Sequence, residues 1–160
     1  MNRKKKRLLI LAAAGLLLIG TAALSPYRLI IVSGGSMSPA YRSGQLLRGK
    51  KQIFCRDMPF RRGEVVLFRR GSENCLKRVY ALPGDEVVIF RLDDGFNVLV
   101  QAGEYMRYYR LVEELGSARI DRFEVPEGEL FLLGDAPQVS LDSRDFGPVP
   151  QSSVVARISE

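Results

Sequence analysis

The sequence has no histidine among its 160 residues, which removes the commonest general base and the commonest metal ligand together. No Ser-His-Asp or Cys-His arrangement can form, and no zinc site that needs imidazole. Any catalysis has to rest on carboxylates, Lys, Tyr, Ser or Cys. Cysteine is nearly as scarce, with only Cys55 and Cys75, too few for a four-thiolate metal site. Two states stay open for them: one disulfide, if the domain lies in an oxidising compartment, or two buried free thiols. A disulfide would contribute about 3 kcal/mol in the chain-entropy account.

The formal charge of +6 invites a nucleic-acid reading, but the charge is unevenly placed. Arg3, Lys4, Lys5, Lys6 and Arg7 are five of the 24 basic residues, and without them 19 basic residues face 18 acidic ones. The basicity belongs to a tail. The remainder offers no electrostatic footprint for phosphates, so nucleic acid is not an expected partner. A hydrophobic content of 46% suffices for one packed domain.

After the basic run, residues 1–7 being read as a cytoplasmic tail, the chain is uncharged from Leu8 to Tyr27. An α-helix needs about 20 apolar residues to cross a bilayer core, so residues 8–27 are expected to form a transmembrane anchor. Positive charge on its N-terminal side predicts a cytoplasmic N-terminus, with residues 28–160 extracytoplasmic. A cleaved secretory leader shares the basic start and apolar centre. Its usual apolar core is about 7–15 residues, shorter than this one, and Thr21-Ala22-Ala23 makes a poor cleavage site before Pro26. Either way the domain is exported.

The rest reads as β-rich. Leu29 to Val32 is a short apolar run that ends in the turn signal Ser33-Gly34-Gly35. Extended patterns recur at Glu64–Phe68, Leu76–Leu82, Glu86–Arg91, Leu130–Leu133 and Val154–Ile158. Asp94-Gly95 predicts a hairpin that joins Glu86–Arg91 to Asn97–Gln101. Glu104–Leu115 is expected as a short helix within a small insertion at about 92–127. Many short strands punctuated by Gly and Pro make the expected class mostly β, a barrel or sandwich-like core after one N-terminal transmembrane helix.

Three segments carry possible chemistry. Ser36 follows Gly34-Gly35 and precedes Met37-Ser38-Pro39, which presents a hydroxyl on a tight backbone that a substrate can approach closely. A flexible polar loop would look the same. A serine nucleophile needs a base, and arginine keeps its proton. Outside the tail there are three lysines. Lys50 and Lys51 are read as neighbours in a polar loop, whereas Lys77 sits in an apolar strand beside Leu76 and Val79. Burial there would lower its pKa from about 10.4. The third segment is Gly134-Asp135, continuing to Ser140-Leu141-Asp142-Ser143-Arg144.

With Lys77-Arg78 and Pro83-Gly84-Asp85, these segments resemble, in order and spacing, the boxes of the type I signal peptidases, Ser/Lys endopeptidases of exported precursors. The resemblance runs from Leu8 to Val149 and is weak between Leu92 and Glu127. It implies Ser36 as nucleophile, Lys77 as general base, Ser140 as the group that orients the Lys77 amine, and Met37 as lining for the substrate cleft. Asp142 and Arg144 would form a supporting salt bridge. Gly84 and Asp85 would form a structural turn. Gly34 stands where many members carry a serine whose hydroxyl donates to the oxyanion, so the Ser36 N–H would be the remaining donor; Ala136-Pro137 stands where asparagine usually follows Gly-Asp. The resemblance also implies an inner (plasma) membrane location with a single pass. The implied substrates are signal peptides of exported precursors, bound as an extended strand and cut after small residues of the Ala-x-Ala kind, with no cofactor or metal. A dedicated peptidase for one conjugation or pilus subunit, and an inactive membrane-tethered binding homologue, share many of these features. Self-cleaving repressors use a similar pair, but they need a DNA-binding module and a cytosolic location.

Overall fold

The computed structural model describes residues 3–92, 97–101 and 118–158. A helix, α1 (Arg3–Leu24), precedes strands β1 (Tyr27–Ile31), β2 (Leu46–Lys51), β3 (Val65–Arg70), β4 (Glu73–Ala81), β5 (Glu86–Leu92) and β6 (Asn97–Gln101). Strands β7 (Ala118–Glu124) and β8 (Glu129–Leu133), a one-turn helix α2 (Ser143–Phe146), and strands β9 (Val149–Pro150) and β10 (Val154–Ile158) follow. The expected Asp94-Gly95 turn and the helix at Glu104–Leu115 lie outside the described residues.

Helix α1 takes in the basic run and stops at Leu24, before Ser25-Pro26. The helix ends three residues before Tyr27, the expected limit of the apolar segment, and Tyr27 opens β1. Proline lacks an N–H and biases the residue before it away from helix, so a stop there follows from the chain itself. Among the described residues, no helix is long and apolar enough to cross a membrane. The polypeptide is pinned directly below α1, where the Lys51 N–H donates to the Pro26 carbonyl at 2.8 Å.

Seven strands form one sheet in the order β1-β2-β10-β3-β4-β8-β9, and three form a second in the order β6-β5-β7. Neighbours pair antiparallel throughout. The expected β5–β6 hairpin pairs from Val87↔Gln101 to Arg91↔Asn97. Three strands were not anticipated from the sequence: β2, β7 and the two-residue β9, which pairs with β8. Lys50 and Lys51, expected in a loop, end β2. Ala118–Glu124, within the expected insertion, pairs with β5 along its whole length. β2 was hard to read because Gly49 interrupts it. A Cβ at Gly49 would lie 2.8 Å from Ile30 Cδ1 and 3.3 Å from Ile158 Cδ1, so neighbouring isoleucines occupy the space a side chain would need.

Three apolar clusters hold the sheets. Ile30, Val32, Met37, Leu47, Val65 and Leu67 pack on one side of the larger sheet, and Val66, Phe68, Val79, Leu130 and Leu132 pack in a second cluster. A third cluster joins the sheets, with Ala81 and Phe131 against Val87, Ile89 and Val125. Each fully buried Val, Leu, Ile or Phe contributes about 1.5–3 kcal/mol relative to exposure.

One irregularity positions the chemistry. β3 pairs with β4 from Glu73 to Arg78, but β8 reaches β4 only at Arg78, Val79 and Ala81. Among the described strands, Glu73–Lys77 thus has a partner on one side only.

Candidate active site

Ser36 sits on a loop that leaves β1 and returns to β2. The loop is closed by main-chain bonds from Val32 N–H to the Gln45 carbonyl (2.9 Å), Ser38 N–H to Gly35 (3.0 Å) and Tyr41 N–H to Met37 (2.8 Å). Met37, expected as cleft lining, borders the cleft, yet it is 1% exposed and packs in the first cluster. Its side chain anchors the loop in the core. That leaves Ser36, half-buried, at the surface of a cleft. Gly34 has φ +85°, a conformation that strains any L side chain. A serine there would bring a hydroxyl only at the cost of that strain.

The cleft holds about 440 Å³ and is lined by residues 32–34, Ser36 and Met37 on one side and by Glu73 to Lys77 on the other. A larger groove of about 1640 Å³, bordered by Arg28, Lys51, Met58, Phe60 and Val155, holds neither Ser36 nor Lys77. Volume is a poorer guide here than chemistry, and the smaller cleft is the candidate.

Lys77 is 5% exposed, opposite Val66 in the β3–β4 register. Burial pushes its pKa down from the ordinary lysine value, opposed by the charges of Asp142 and Asp135 and reinforced by Arg144. Desolvation penalises the ammonium form, so the neutral amine, which can take a proton, gains weight.

Ser140, Asp142 and Arg144 come together around Asp142, which is wholly buried. Its Oδ2 accepts from the Ser140 hydroxyl (2.7 Å), the Gly134 N–H (3.0 Å) and Arg144 Nη2 (2.8 Å). Its Oδ1 accepts from Arg144 Nε (2.9 Å) and the Arg144 N–H (3.2 Å). Burial alone would raise the Asp142 pKa, but the bonds from Arg144, Gly134 and Ser140 outweigh it and hold the carboxyl below the usual range. Asp142 also caps α2, and the Asp145 side chain reciprocates by accepting the Asp142 N–H. The carboxylate expected as half of a salt bridge is therefore also the cap of a helix and an acceptor for Ser140. The Ser140 hydroxyl donates to Asp142, and its lone pairs remain for another donor. Among the described residues, no hydrogen bond joins Lys77 to Ser36 or Ser140.

Two features escaped the sequence reading. Arg78 grips Asp135 with two bonds of 2.8 Å and reaches the Gly63 carbonyl at 2.7 Å, which ties the lysine strand to the 134–140 loop. Gly134 is wedged between Ser140 and Ser36. A Cβ there would lie 2.1 Å from Ser140 Oγ and 2.6 Å from the Ser36 carbonyl oxygen, and that same carbonyl accepts the Ala136 N–H at 3.0 Å. The adjacency of Lys77 to Arg78 and of Gly134 to Asp135 was visible in the sequence, but nothing in it said that the pairs meet.

Of the two states open to the cysteines, the structure has free thiols. Cys55 closes the turn after β2 that packs on β10, and Cys75 lies on β4, with β3 between β10 and β4. Cys75 borders the candidate cleft.

A mostly-β domain thus places Ser36 and the desolvated Lys77 on the walls of one cleft. Comparison with known proteins gives the family. The family model described as "Signal peptidase, peptidase S26" matches residues 4–160, and the chain belongs to that family of peptidases. It is 31% identical over 156 residues to a signal peptidase I of Bacillus caldolyticus, covering 88% of this chain and 81% of that one. It is 27% identical over 157 residues to signal peptidase IB of Staphylococcus aureus, covering 90% and 80%. A crystal structure of a signal peptidase I from Enterococcus faecalis matches with 26% identity and a TM-score of 0.42, over 63% of this chain and 97% of that one.

Proposed function

We propose that this chain is a membrane-anchored serine endopeptidase that removes N-terminal signal peptides from exported precursors, with Ser36 as nucleophile and Lys77 as general base. The observation that carries the reading is Lys77 itself, 5% exposed on the wall of the cleft that Ser36 borders. A lysine buried without need is costly, because an ammonium group loses its hydration. A lysine base, by contrast, requires that burial.

In the proposed reaction the neutral Lys77 amine takes the Ser36 proton as Oγ attacks the scissile carbonyl. The Ser36 N–H receives the oxyanion, and loss of a second donor at Gly34 can lower the rate by about 10²–10³. The Lys77 ammonium then protonates the leaving amine, which gives an acyl-Ser36 ester and a new N-terminus. Lys77, neutral again, activates a water that hydrolyses the ester. Ser140, held as a donor by Asp142, is free to accept from the Lys77 amine and aim it. Asp142 and Arg144 hold that arrangement as a positioning pair. No step calls for a metal or cofactor.

The open side of β4 at Glu73–Lys77 suits an extended substrate, whose main chain can pair with unused N–H and C=O groups. Small residues before the cut, of the Ala-x-Ala kind, suit a shallow cleft of this size. Membrane attachment rests on the sequence of the N-terminal segment, basic and then uncharged, with the N-terminus cytoplasmic and the domain outside. An anchor would keep the cleft near the bilayer surface where precursors emerge.

The test compares wild type with Ser36→Ala and Lys77→Ala on a purified precursor that carries an Ala-x-Ala site, followed by mass spectrometry. Cleavage at that bond, abolished by both substitutions, is the expected result. A folded wild type that cleaves none of several precursors would point instead to a dedicated-substrate peptidase or a binding-only homologue.

A further inference from the structure

The cleft runs on past Ser36 and Lys77 along the open side of β4, and its far end is formed by Glu73 and Asn74. Side chains alternate along a strand, so Glu73, Cys75 and Lys77 share one face. Glu73 is exposed, and among the described residues its carboxylate enters no ion pair or hydrogen bond. Its cross-strand neighbour is Arg70, the natural counter-ion. The Arg70 guanidinium, however, lies over the Phe146 ring, 4.4 Å from its centroid, and Phe146 in turn packs against Phe68. Glu73 and Lys77 are the two side chains of formal charge bordering the cleft. The one acidic side chain bordering the cleft thus lies at the end remote from the reacting groups.

The geometry points to Glu73 as a specificity-determining residue that selects substrates with a basic side chain, lysine or arginine, about four residues from the scissile bond. This rests on the assignment of Ser36 and Lys77 to catalysis. The offset follows from the strand. Glu73 is four positions from Lys77, about 13 Å at the rise of a β-strand, and a substrate extended along β4 covers that distance in the same number of residues. An even offset also returns the side chain to the face of the substrate that carries the residue at the cut. An exposed pair of this kind is worth a few-fold in binding rather than orders of magnitude. It would rank substrates that share small residues at the cut, which those residues alone cannot do.

The test uses full-length protein in detergent and a set of peptides built on one cleaved precursor sequence. Alanine, lysine or glutamate is placed singly at positions two to six on either side of the scissile bond. Wild type, Glu73→Gln and Glu73→Lys are compared by kcat/KM. Wild type is expected to prefer lysine over glutamate by about fivefold at one position three to five residues from the cut. Glu73→Gln should flatten that ratio and Glu73→Lys invert it, each ratio being taken within one enzyme. An unchanged lysine-to-glutamate ratio across the three enzymes, with the alanine peptide cleaved, overturns the role of Glu73 and leaves the peptidase intact. Failure of wild type to cut any peptide overturns the catalytic assignment and this inference with it.

Discussion

Gly134→Ala is the most exacting test of the site's construction. The substitution adds one methyl group where the nearest atoms are Ser140 Oγ at 2.1 Å, Ser140 Cβ at 2.6 Å and the Ser36 carbonyl oxygen at 2.6 Å. Contacts below 3.0 Å essentially never occur at a real Cβ. The Ser36 carbonyl must therefore move by about 0.4 Å and the Ser140 side chain by about 0.9 Å. Neither is free to do so. The carbonyl is held by the Ala136 N–H and Ser140 by Asp142. Overpacking of this kind costs about 1–3 kcal/mol, and a displacement approaching 1 Å at reacting groups costs about 10² in rate. The expected outcome is a lowered melting temperature together with a fall in kcat of about a hundredfold in the fraction that remains folded. Gly84→Ala serves as the control. At Gly84 φ is +80° with nothing within 4 Å of the added Cβ, so stability should drop by about 1 kcal/mol with kcat unchanged. Measured kcat and thermal melts of both variants decide the matter. A Gly134→Ala enzyme with wild-type kcat and melting temperature would refute the close approach of Ser36, Gly134 and Ser140.

The proton chemistry gives further expectations. If the neutral Lys77 amine is the base, single-turnover acylation rises with pH, with a midpoint below the ordinary lysine value of 10.5; a midpoint at that value contradicts the desolvated base. Because the unfolded chain binds the Lys77 proton more tightly than the folded one, folding stability rises with pH between the depressed pKa and 10.5. Each pH unit of that interval is worth about 1.4 kcal/mol, so an inactive Lys77→Met variant should unfold at higher denaturant than wild type at neutral pH, an advantage that shrinks towards pH 10.5. Asp142→Ala removes a buried acceptor of five bonds and strands Arg144, which should cost about 3–5 kcal/mol in urea unfolding. Since the Asp142 pKa is depressed, the stability that Asp142 contributes is present above the usual carboxylate pKa and is lost as pH falls through its folded value; an acid-unfolding midpoint that does not move in the variant would count against the carboxylate's part in stability. Under denaturing, non-reducing conditions both Cys55 and Cys75 should react with a thiol reagent, and a disulfide-linked peptide in mass spectrometry would contradict the free thiols.

What the sequence could say follows from what is local. Ser36 was legible because Gly34-Gly35 and Ser38-Pro39 force a turn around it. Lys77 was legible because a lysine among apolar strand residues stands out where arginine is the rule. The Asp94-Gly95 turn signal between two extended runs made the pairing of β5 with β6 readable. β2 was not, because Gly49 looks like a strand breaker until Ile30 and Ile158 are seen to occupy its side-chain space. The pairing of Ala118–Glu124 with β5 was hidden for a similar reason, since charges at Arg119, Asp121 and Arg122 mask a strand whose Arg91–Asp121 ion pair reaches across the sheet. Arg78–Asp135 and the wedge at Gly134 join residues 57 and 98 positions apart, and no pattern within either segment announces its partner. The double duty of Asp142 was equally silent, because capping is a property of backbone angles.

The one-sided pairing of β4 has a further consequence, for the protein's behaviour among copies of itself. A strand with unused main-chain donors and acceptors is a template on which a second copy can add, and crowding at high expression would favour such growth. The chain blunts this hazard in two ways. The 32–37 loop lines the wall of the cleft opposite the edge, and Glu73 places a charge at the cleft's far end. A second sheet adding to this edge would have to displace that loop and bury that charge. The same few residues that keep the edge available to a passing chain would thus keep the protein from polymerising through it.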